Sequence, residues 1–334
     1  MKTIANTGFP GRRLAPVMRY ALPVAAVAAF SLLSGAASAG CGGSFCAIAT
    51  DEDALGPWTK PGWRVDLRGE SVRQATLRNG RDKVSPAAAP DSTDESLTRN
   101  RNLLASLDYA WDERWGATLV LPWVDRRHEH TAYDAVGVPT RESWRFGRVG
   151  DARVVGRYQI SGLPDHEHSF GIQAGLKLPT GSTTVANGDG VRAERALQPG
   201  TGTTDLILGA YYHAQVSSRT SGFVQVSAVN ALNSREDYRP GRQLTLNLGV
   251  SHRLTDSVNG LLQINAAHRA SDRGAQAEPE DSGSTQVFLS PGLSVAVGKA
   301  ARLYAYLQVP LSQRVTGTQL TADRSVVVGY GQAF

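Results

Sequence analysis

The chain has 334 residues, among them 35 glycines and only two cysteines, and its formal net charge is +5. Residues 1–39 carry +4 of that charge, through Lys2, Arg12, Arg13 and Arg19 with no acidic residue, so the rest of the chain is close to neutral. This balance gives no support for nucleic-acid binding. After residue 39 no apolar run reaches the roughly 18 residues of a membrane-spanning helix, which leaves a secreted soluble β-protein or a β-barrel.

The first predicted element is an export signal. An apolar run from Ala21 to Leu33 follows the basic residues and ends at Ala37-Ser38-Ala39, the A-x-A pattern cut by signal peptidase. We therefore predict a signal peptide over residues 1–39, with export by the secretory pathway. Met18 begins a shorter stretch with the same features, so the sequence is compatible with a translation start at Met1 or at Met18.

The two cysteines, Cys41 and Cys46, fall in a segment, residues 40–61, that is predicted to lie in the periplasm. An oxidising compartment favours disulfides, and the spacing predicts one that closes this small loop. Lipidation of Cys41 is a second reading, because Ser38-Ala39-Gly40 resembles part of a lipobox, and metal or redox chemistry is a third. No C-x-x-C-H haem site follows, and no cofactor or metal ion is predicted.

Residues 62–334 are predicted to form an all-β fold, a transmembrane antiparallel β-barrel of about twelve strands. Apolar and polar residues alternate along twelve segments, as in strands whose two faces meet different surroundings. In chain order the segments are 63–70, 102–111, 115–123, 152–160, 170–178, 206–212, 223–232, 244–250, 262–266, 287–297, 303–311 and 325–334. Because lipid cannot bind backbone N–H and C=O groups, such a sheet has to close on itself.

Short and long connections alternate between these segments. The short ones are 112–114, 161–167, 217–221, 255–257 and 298–300; the longer ones are 72–101, 127–150, 179–203, 233–242, 271–284 and 312–324. This pattern is typical of bacterial outer-membrane barrels, with short turns and both termini on the periplasmic side. Pro122 is the main objection, since proline removes a ladder donor; we expect it near the outer rim, where strand pairing ends.

The last predicted strand carries a recognition pattern. One face holds Val326, Val328, Tyr330 and Phe334, and the other holds Val327, Gly329, Gly331 and Ala333. The strand resembles the C-terminal signal strand that the barrel assembly machinery reads, although Gln332 replaces the usual aromatic residue. The predicted partners are therefore this machinery, through the strand ending at Phe334, the outer-membrane lipid and a small-molecule solute. An edge strand of a soluble sandwich is the alternative.

If the apolar series faces lipid, the alternate series faces the lumen. Its candidate solute contacts are Arg64, Asp66, Arg68, Asp108, Arg153, Arg157, Lys177, Asp205, Arg253, Arg302, Tyr304 and Tyr306, joined in the same register by Glu70, Gln173, Asn247, Gln263 and Asn265. Twelve strands enclose a lumen between the filled eight-stranded and the wide sixteen-stranded cases. Arginines beside tyrosines favour an anionic or aromatic solute.

Two alternatives to transport remain. In the first, the lumen is filled by ion pairs and the barrel is structural or binds a partner; the pairs would join Arg64, Arg68, Arg153 and Arg157 to Asp66, Glu70, Asp108 and Asp205. In the second, the barrel is a lipid hydrolase that uses His252 or His268 with Ser217, Ser218 or Ser251. No motif links a nucleophile to a base, so no catalytic residue and no enzyme activity are predicted.

Two histidine groups are interpreted as solvated loop segments. His128-Glu129-His130 begins a predicted outer loop, and Asp165-His166-Glu167-His168 occupies a predicted periplasmic turn. Imidazole and carboxylate groups are ligands of zinc and copper. Adjacent residues of a strand, however, point to opposite sides, so the solvated reading is preferred to a metal site.

Several segments together resemble a known family. They are Gly150–Tyr158 (G-D-A-R-V-V-G-R-Y), Gly175–Gly181 (G-L-K-L-P-T-G), Leu197–Asp205 (L-Q-P-G-T-G-T-T-D), Tyr238–Gly241 and Asn247–Gly249. The chain from about residue 100 to its end resembles the outer-membrane family described as "Putative MetA-pathway of phenol degradation", a transporter-like group. The resemblance implies a barrel in the envelope, and it assigns no catalytic or binding residue.

Overall fold

The computed structural model describes residues 46–50, 61–86, 93–161 and 168–334. The predicted signal peptide, Cys41 and the turn residues 162–167 lie outside the described residues. The strands are β1 Gly62–Asn79, β2 Asp82–Lys83, β3 Thr93–Ala110, β4 Trp115–Tyr133, β5 Pro139–Val149, β6 Arg153–Ser161, β7 His168–Lys177, β8 Asp205–Ser217, β9 Thr220–Ala231, β10 Gln243–Arg253, β11 Val258–Arg269, β12 Ser284–Val297, β13 Ala301–Val315 and β14 Thr318–Ala333. Within these ranges no helix is long and apolar enough to span a membrane.

The sheet closes into an antiparallel barrel. Twelve strands follow one another around its wall in chain order, and β2 and β5 are additions that pair with β1 and β4. The ring is completed by β14 and β1, whose pairing runs from Ala333 opposite Arg64 to Thr318 opposite Asn79. Closure gives the backbone polar groups of both end strands a partner, as lipid requires. The predicted transmembrane barrel of about twelve strands is confirmed.

The strands on the outer side are longer than the sequence predicts. The predicted loops 72–101 and 127–150 instead contain the end of β1, the start of β3 and the hairpin of β4 with β5. The predicted loop 312–324 is a tight hairpin whose turn is Thr316 and Gly317. At the outer ends of β1 and β3 most residues on both faces are polar, so alternation marks these strand ends poorly. The short turns at 112–114, 255–257 and 298–300 are confirmed.

Pro122 lies where its strand changes neighbours. The pairing of β4 with β6 ends at Val120, and its pairing with β5 begins at Trp123. On that side Pro122 therefore faces a gap in the ladder, where a missing N–H costs nothing. Its carbonyl oxygen accepts a hydrogen bond of 2.8 Å from the backbone N–H of Gly150.

The outward face of the barrel is apolar. Leu67, Leu107, Leu262 and Val328 are each 41–53% exposed, although such side chains avoid water. Aromatic residues gather at the periplasmic end, where the rings of Trp63 and Tyr109 lie 4.5 Å apart, as do those of Trp115 and Tyr158. An apolar belt edged by aromatic rings is the outer surface of an outer-membrane barrel.

The last strand has the predicted faces. Val326 and Val328 are exposed on the outside, whereas Val327 is completely buried and faces the interior. The chain end is held by a hydrogen bond of 2.9 Å from the backbone N–H of Phe334 to the carbonyl of Trp63.

Candidate solute pathway in the lumen

The predicted lumen residues are mostly sheltered from solvent. Arg64, Asp66, Arg157, Lys177, Asp205, Tyr304 and Tyr306 are buried; Arg68, Asp108, Arg153 and Arg302 are half-buried; Arg253, at the end of β10, is exposed. Contact of these side chains with a solute stays a prediction. Most of their neighbours on each strand are apolar residues that face outward. The inward and outward faces that alternation predicts are therefore the faces seen in the barrel.

A segment that precedes the barrel lies inside it. Residues 46–50, assigned from the sequence to the periplasm, are instead bound to the wall near mid-height by β1. The backbone N–H of Cys46 donates to Glu70 at 3.1 Å, and the guanidinium of Arg68 donates to the carbonyls of Cys46 and Ile48 at 3.2 and 3.0 Å. Arg68 and Glu70 also form an ion pair of 2.5 Å. We call residues 46–50 the lumen segment.

The far side of the lumen segment is bound by β11. The side-chain amide of Gln263 accepts from the backbone N–H of Ala49 at 3.2 Å and donates to the Ala49 carbonyl at 2.6 Å. This pair of bonds copies the exchange between neighbouring strands, with a glutamine side chain in place of a second backbone. The lumen segment therefore bridges two parts of the wall that are separated by β12, β13 and β14.

Apolar side chains surround the lumen segment. Cys46 and Ile48 pack in one cluster with wall residues that point inward, namely Val72, Leu261, Phe288, Tyr304, Tyr306, Ala322 and Val327. Cys46 carries a free, buried thiol, and its predicted disulfide partner, Cys41, lies outside the described residues. Apolar residues on a water-facing wall would be costly, so the cluster fits a wall built to be covered.

Neutral polar groups continue the inner wall beside this cluster. The amide of Asn265 donates to Asn247 at 2.8 Å and to Gln263 at 2.9 Å, and the hydroxyl of Ser290 donates to Asn265 at 2.6 Å. The hydroxyl of Tyr304 donates to Asp66 at 3.0 Å. Mutual pairing of the wall groups leaves few of them to attract ions.

Several residues of the predicted ion-pair filling have identified partners in the structure. Arg68 pairs with Glu70, as that alternative states. Asp205 pairs with Lys177 instead of an arginine, and Asp108 accepts a hydrogen bond from Thr118. The lumen therefore holds both a piece of chain and paired wall residues.

Three of the motif segments meet at the outer rim. The ammonium of Lys177 lies 2.8 Å from Asp151 and 3.2 Å from Asp205, and it donates to the carbonyl of Thr203 at 3.0 Å. Asp151 also accepts from the backbone N–H groups of Gly181 and Thr201, at 3.0 and 2.9 Å. We call Asp151, Lys177 and Asp205 the rim triad; it pins both ends of loop 178–204.

A glycine allows these segments to approach. A side chain at Gly200 would bring its Cβ within 2.5 Å of the carbonyl oxygen of Gly181. The G-L-K-L-P-T-G and L-Q-P-G-T-G-T-T-D segments thus have a packing role, since they hold loop 178–204 against the barrel.

A second anchor joins the next two outer loops. Asp272 accepts from the hydroxyl of Tyr238 at 2.8 Å, from the backbone N–H of Gly241 at 2.7 Å, and from the guanidinium of Arg269 at 2.6 and 2.7 Å. Tyr238 and Gly241 are the first and last residues of another motif segment. The motif residues therefore build two anchors for outer loops.

His128 and His130 differ from their predicted setting. Both are buried on β4, on the same face, and their rings contact the ring of Trp144. The Nε2 atom of His130 lies 3.0 Å from Glu142. The solvated reading of this pair is therefore wrong, because β4 continues past the membrane and packs against β5 and loop 178–204. Among the described residues no group of three His, Cys, Asp or Glu side chains is placed to hold a metal ion.

Sequence reasoning missed Arg126. Its guanidinium is almost fully buried; it donates to the side chain of Asn100 at 2.7 Å and to the carbonyl of Leu197 at 2.5 Å. The inward alternation of β4 continues through 124, 126, 128 and 130, and extending it beyond residue 123 would have found this residue.

The two histidines of the hydrolase alternative are exposed and contact threonine hydroxyls. His252 contacts the hydroxyl of Thr220 at 2.9 Å, and His268 contacts the hydroxyl of Thr285 at 2.9 Å. The hydroxyl of Ser217 lies in the β8–β9 turn, where it accepts from the backbone N–H of Arg219. The two histidine contacts are hydrogen bonds between neighbouring strands. None of these three contacts joins a histidine to a serine.

Two cavities lie under the outer loops. The outer one has a volume of about 390 Å³ and the inner one about 30 Å³. Arg195, Ala196 and Tyr238 line both of them. The outer cavity also carries Glu194 and Glu278; burial raises the pKa of Glu194 to about 8, with the carboxyls of Glu278 and others adding to the shift. Burial also raises the pKa of Glu278.

The family model "Putative MetA-pathway of phenol degradation" matches residues 101–326, more than half of the chain. The chain belongs to this family. The resemblance inferred from the motif segments is thereby confirmed. No curated protein sequence matches the chain.

Solved structures are similar in fold. The COG4313 outer membrane channel from Pseudomonas putida F1 has a TM-score of 0.61 at 12% identity, over 86% of this chain and 100% of that chain. The toluene transporter TodX of P. putida has a TM-score of 0.45 at 12% identity, over 82% of this chain and 90% of that chain. The COG4313 channel shares the barrel fold of this chain. This likeness agrees with an outer-membrane location for the chain.

Proposed function

We propose that this family member is an outer-membrane channel for a small organic solute, closed at rest by the lumen segment. The observation that carries the proposal is that residues 46–50 occupy the lumen through a few hydrogen bonds, with no continuation of the barrel sheet. Wall side chains that filled the lumen would have no way to leave. A segment that precedes β1 can be displaced while the barrel ladder stays intact.

The surface beneath the lumen segment supports an organic solute, aromatic or anionic. Displacement would uncover Phe288, Tyr304, Tyr306 and their aliphatic neighbours, a surface that suits a ring. The nearby arginines would favour negative charge. The family description names phenol degradation, which agrees with a small aromatic compound. A structural barrel without transport is the competing function, and it predicts that the segment never leaves.

Planar-bilayer recording of the purified chain tests the proposal. We expect the intact protein to show small or rare conductance steps, and a variant lacking residues 46–50 to show frequent, severalfold larger steps. The control is deletion of the exposed hairpin tip Asp134–Val138, which should leave conductance unchanged. Silence from both the intact chain and the variant lacking residues 46–50, with both proteins folded, would contradict a channel.

We infer that the chain reaches its membrane by the secretory route, after removal of residues 1–39, and is inserted by the barrel assembly machinery. The exposed aromatic Phe334 at the end of β14 supports the latter. Its apolar belt would then be covered by outer-membrane lipid. Deletion of Phe334 should reduce the fraction of the protein that runs as a folded band in unboiled gel samples. Lys299→Ser, in the exposed β12–β13 turn, should leave that fraction unchanged.

A further inference from the structure

Arg195 holds a buried positive charge that its surroundings balance incompletely. Its side chain is only 4% exposed, and the nearest carboxylate is Glu236 at 3.4 Å. That carboxylate also serves Arg192 at 2.5 Å and Arg235 at 3.6 Å. Three guanidinium groups therefore share one negative charge. A buried charge normally has a close partner. Arg195 is the most buried of the three guanidinium groups, yet it lies 3.4 Å from the one carboxylate that all three share.

The remaining contacts of Arg195 fix its position without neutralising it. The guanidinium donates to the carbonyls of Thr201 and Thr183 at 2.8 and 3.4 Å. Its Nε–H group is buried and has no acceptor. An unsatisfied donor in a buried, positively charged group favours a ligand that brings an oxygen acceptor.

Tyr238 gives the same place an aromatic face. The Arg195 guanidinium lies 5.0 Å from the centre of the Tyr238 ring. The ring itself is held by its hydroxyl, which donates to Asp272, and it is 1% exposed. Arg195 and Tyr238 thus form a rigid pair between loop 178–204 and the β9–β10 loop.

The pair stands at the junction of the two cavities. The outer cavity, about 390 Å³, has room for a small ring compound, and the inner cavity, about 30 Å³, has room for little more than a water molecule or a carboxylate group. The inner cavity is also lined by Arg153 and by apolar side chains such as Ile207 and Val229. The outer cavity is also lined by the carboxyls of Glu194, Asp272, Glu278 and Asp281, and burial raises the pKa of Glu194 and of Glu278, which reduces the negative charge that these two present to an anion.

We propose that Arg195 and Tyr238 form an entry subsite for the carboxylate of a small aromatic acid, which the channel takes up from outside. The ring would occupy the outer cavity and the carboxylate would meet Arg195. This subsite rests on the proposed function for its biological use, but binding itself requires no flux. Arg195 belongs to loop 178–204, whose two ends are held by the rim triad.

Calorimetric titration of the detergent-solubilised full chain with benzoate tests the subsite, with benzyl alcohol as the uncharged probe. We expect Arg195→Gln to weaken benzoate binding about tenfold or more, the effect of losing one charge-assisted hydrogen bond, and to leave benzyl alcohol unchanged. The matched control is Arg235→Gln, which removes a guanidinium from the same carboxylate but from a side chain that is 62% exposed.

A second variant keeps the test decisive if Arg195→Gln does not fold. Ala196→Trp fills the cavities without removing a charge, and it should abolish binding of both probes. Equal benzoate affinity in the intact chain and in Arg195→Gln would overturn the subsite, as would equal losses in Arg195→Gln and Arg235→Gln. A chain that binds benzoate through Arg195 but conducts nothing would retain the subsite and lose the channel.

Discussion

On the proposed function, the lumen is closed in two different ways at two heights. Near mid-height the obstruction is the lumen segment, held by Arg68, Glu70 and Gln263. At the outer rim it is loop 178–204, held at both ends by the rim triad, whose three side chains are all at least 92% buried. The first closure combines hydrogen bonds, one ion pair and the apolar packing of a five-residue segment. The second buries charges that depend on one another, so we expect the rim to stay fixed while the lumen segment moves.

The largest effect is expected from breaking the rim triad. Lys177→Met leaves Asp151 and Asp205 buried without their cation, which costs about 3–5 kcal/mol. In gel electrophoresis of samples heated to increasing temperatures, the temperature at which the folded band is replaced by the unfolded band should fall accordingly. Arg192→Gln, which breaks an exposed ion pair with Glu236, should cost no more than about 1 kcal/mol.

The triad also offers a compensating variant. Adding Asp151→Asn and Asp205→Asn to Lys177→Met removes the stranded charges, and much of the lost stability should return. If Lys177→Met and Arg192→Gln were equally stable, the rim would be held by something other than buried charge, and the contrast with the lumen segment would disappear.

A smaller effect is expected from loosening the lumen segment. Glu70→Gln weakens the acceptor of the Cys46 backbone N–H and removes the ion pair with Arg68. Because hydrogen bonds to charged groups contribute about 1.5–3 kcal/mol, the fraction of time spent open in bilayer recordings should rise about tenfold or more.

The control for Glu70→Gln is Arg73→Gln, on the same strand. Arg73 forms an exposed ion pair with Asp323, 2.7 Å apart, on the outer part of the barrel. Its loss should leave the open fraction as it is. An unchanged open fraction in Glu70→Gln would mean that the lumen segment is not the moving part.

A still smaller effect is expected from pH on the outer loops. The pKa of Glu194 is raised from 4.5 to about 8, first by burial and then by the carboxyls of Glu278, Glu95 and Glu142. The other ionisable groups around it or in its cavity are His130, 3.8 Å away, Arg192, Arg195, Asp272 and Asp281. The folded chain therefore holds a proton that the unfolded chain releases between about pH 4.5 and pH 8.

Loop packing is thus most stable below that window and loses stability as the pH rises through it. Current fluctuations should grow severalfold between pH 6 and pH 9 in the intact chain and remain constant in Glu194→Gln. Glu236→Gln is the control, since hydrogen bonding from Arg192 lowers the pKa of Glu236 and keeps it ionised throughout. Identical pH profiles for the intact chain and Glu194→Gln would count against a protonated Glu194.

The alternation within the membrane could be predicted because lipid and lumen impose opposite demands on neighbouring residues. For that reason Trp63, Val65 and Leu67 alternate with Arg64 and Asp66. The positions of the strands, and which of their residues face inward, could be predicted from this alternation. Above the membrane most residues on both faces of β1 and β3 are polar, so the outer ends of these strands carried little such signal. The predicted strand at β4 stopped at residue 123, so Arg126 was missed and His128 was assigned to a solvated loop.

The lumen segment could not be predicted from local pattern. Ala49 and Gln263 are 214 positions apart, and a five-residue stretch with two small residues has no periodicity to read. The motif segments showed the family, but their role emerged only when Asp151, Lys177 and Asp205 were brought together. A charged residue in a motif indicates that charge matters there; whether it binds a solute or a neighbour depends on the fold.

The smallest effect is expected at the periplasmic belt, far from both closures. Trp115→Leu keeps an apolar side chain but removes the ring packed on Tyr158, 4.5 Å away between ring centres. Such ring contacts are worth about 0.5–1.5 kcal/mol. Trp63→Leu removes the equivalent contact with Tyr109 and should cost the same. Both variants should conduct like the intact chain, because neither residue touches the lumen segment or the rim triad. A change in conductance as large as that of Glu70→Gln would mean that the whole wall, and not the segment it encloses, determines when the channel is open.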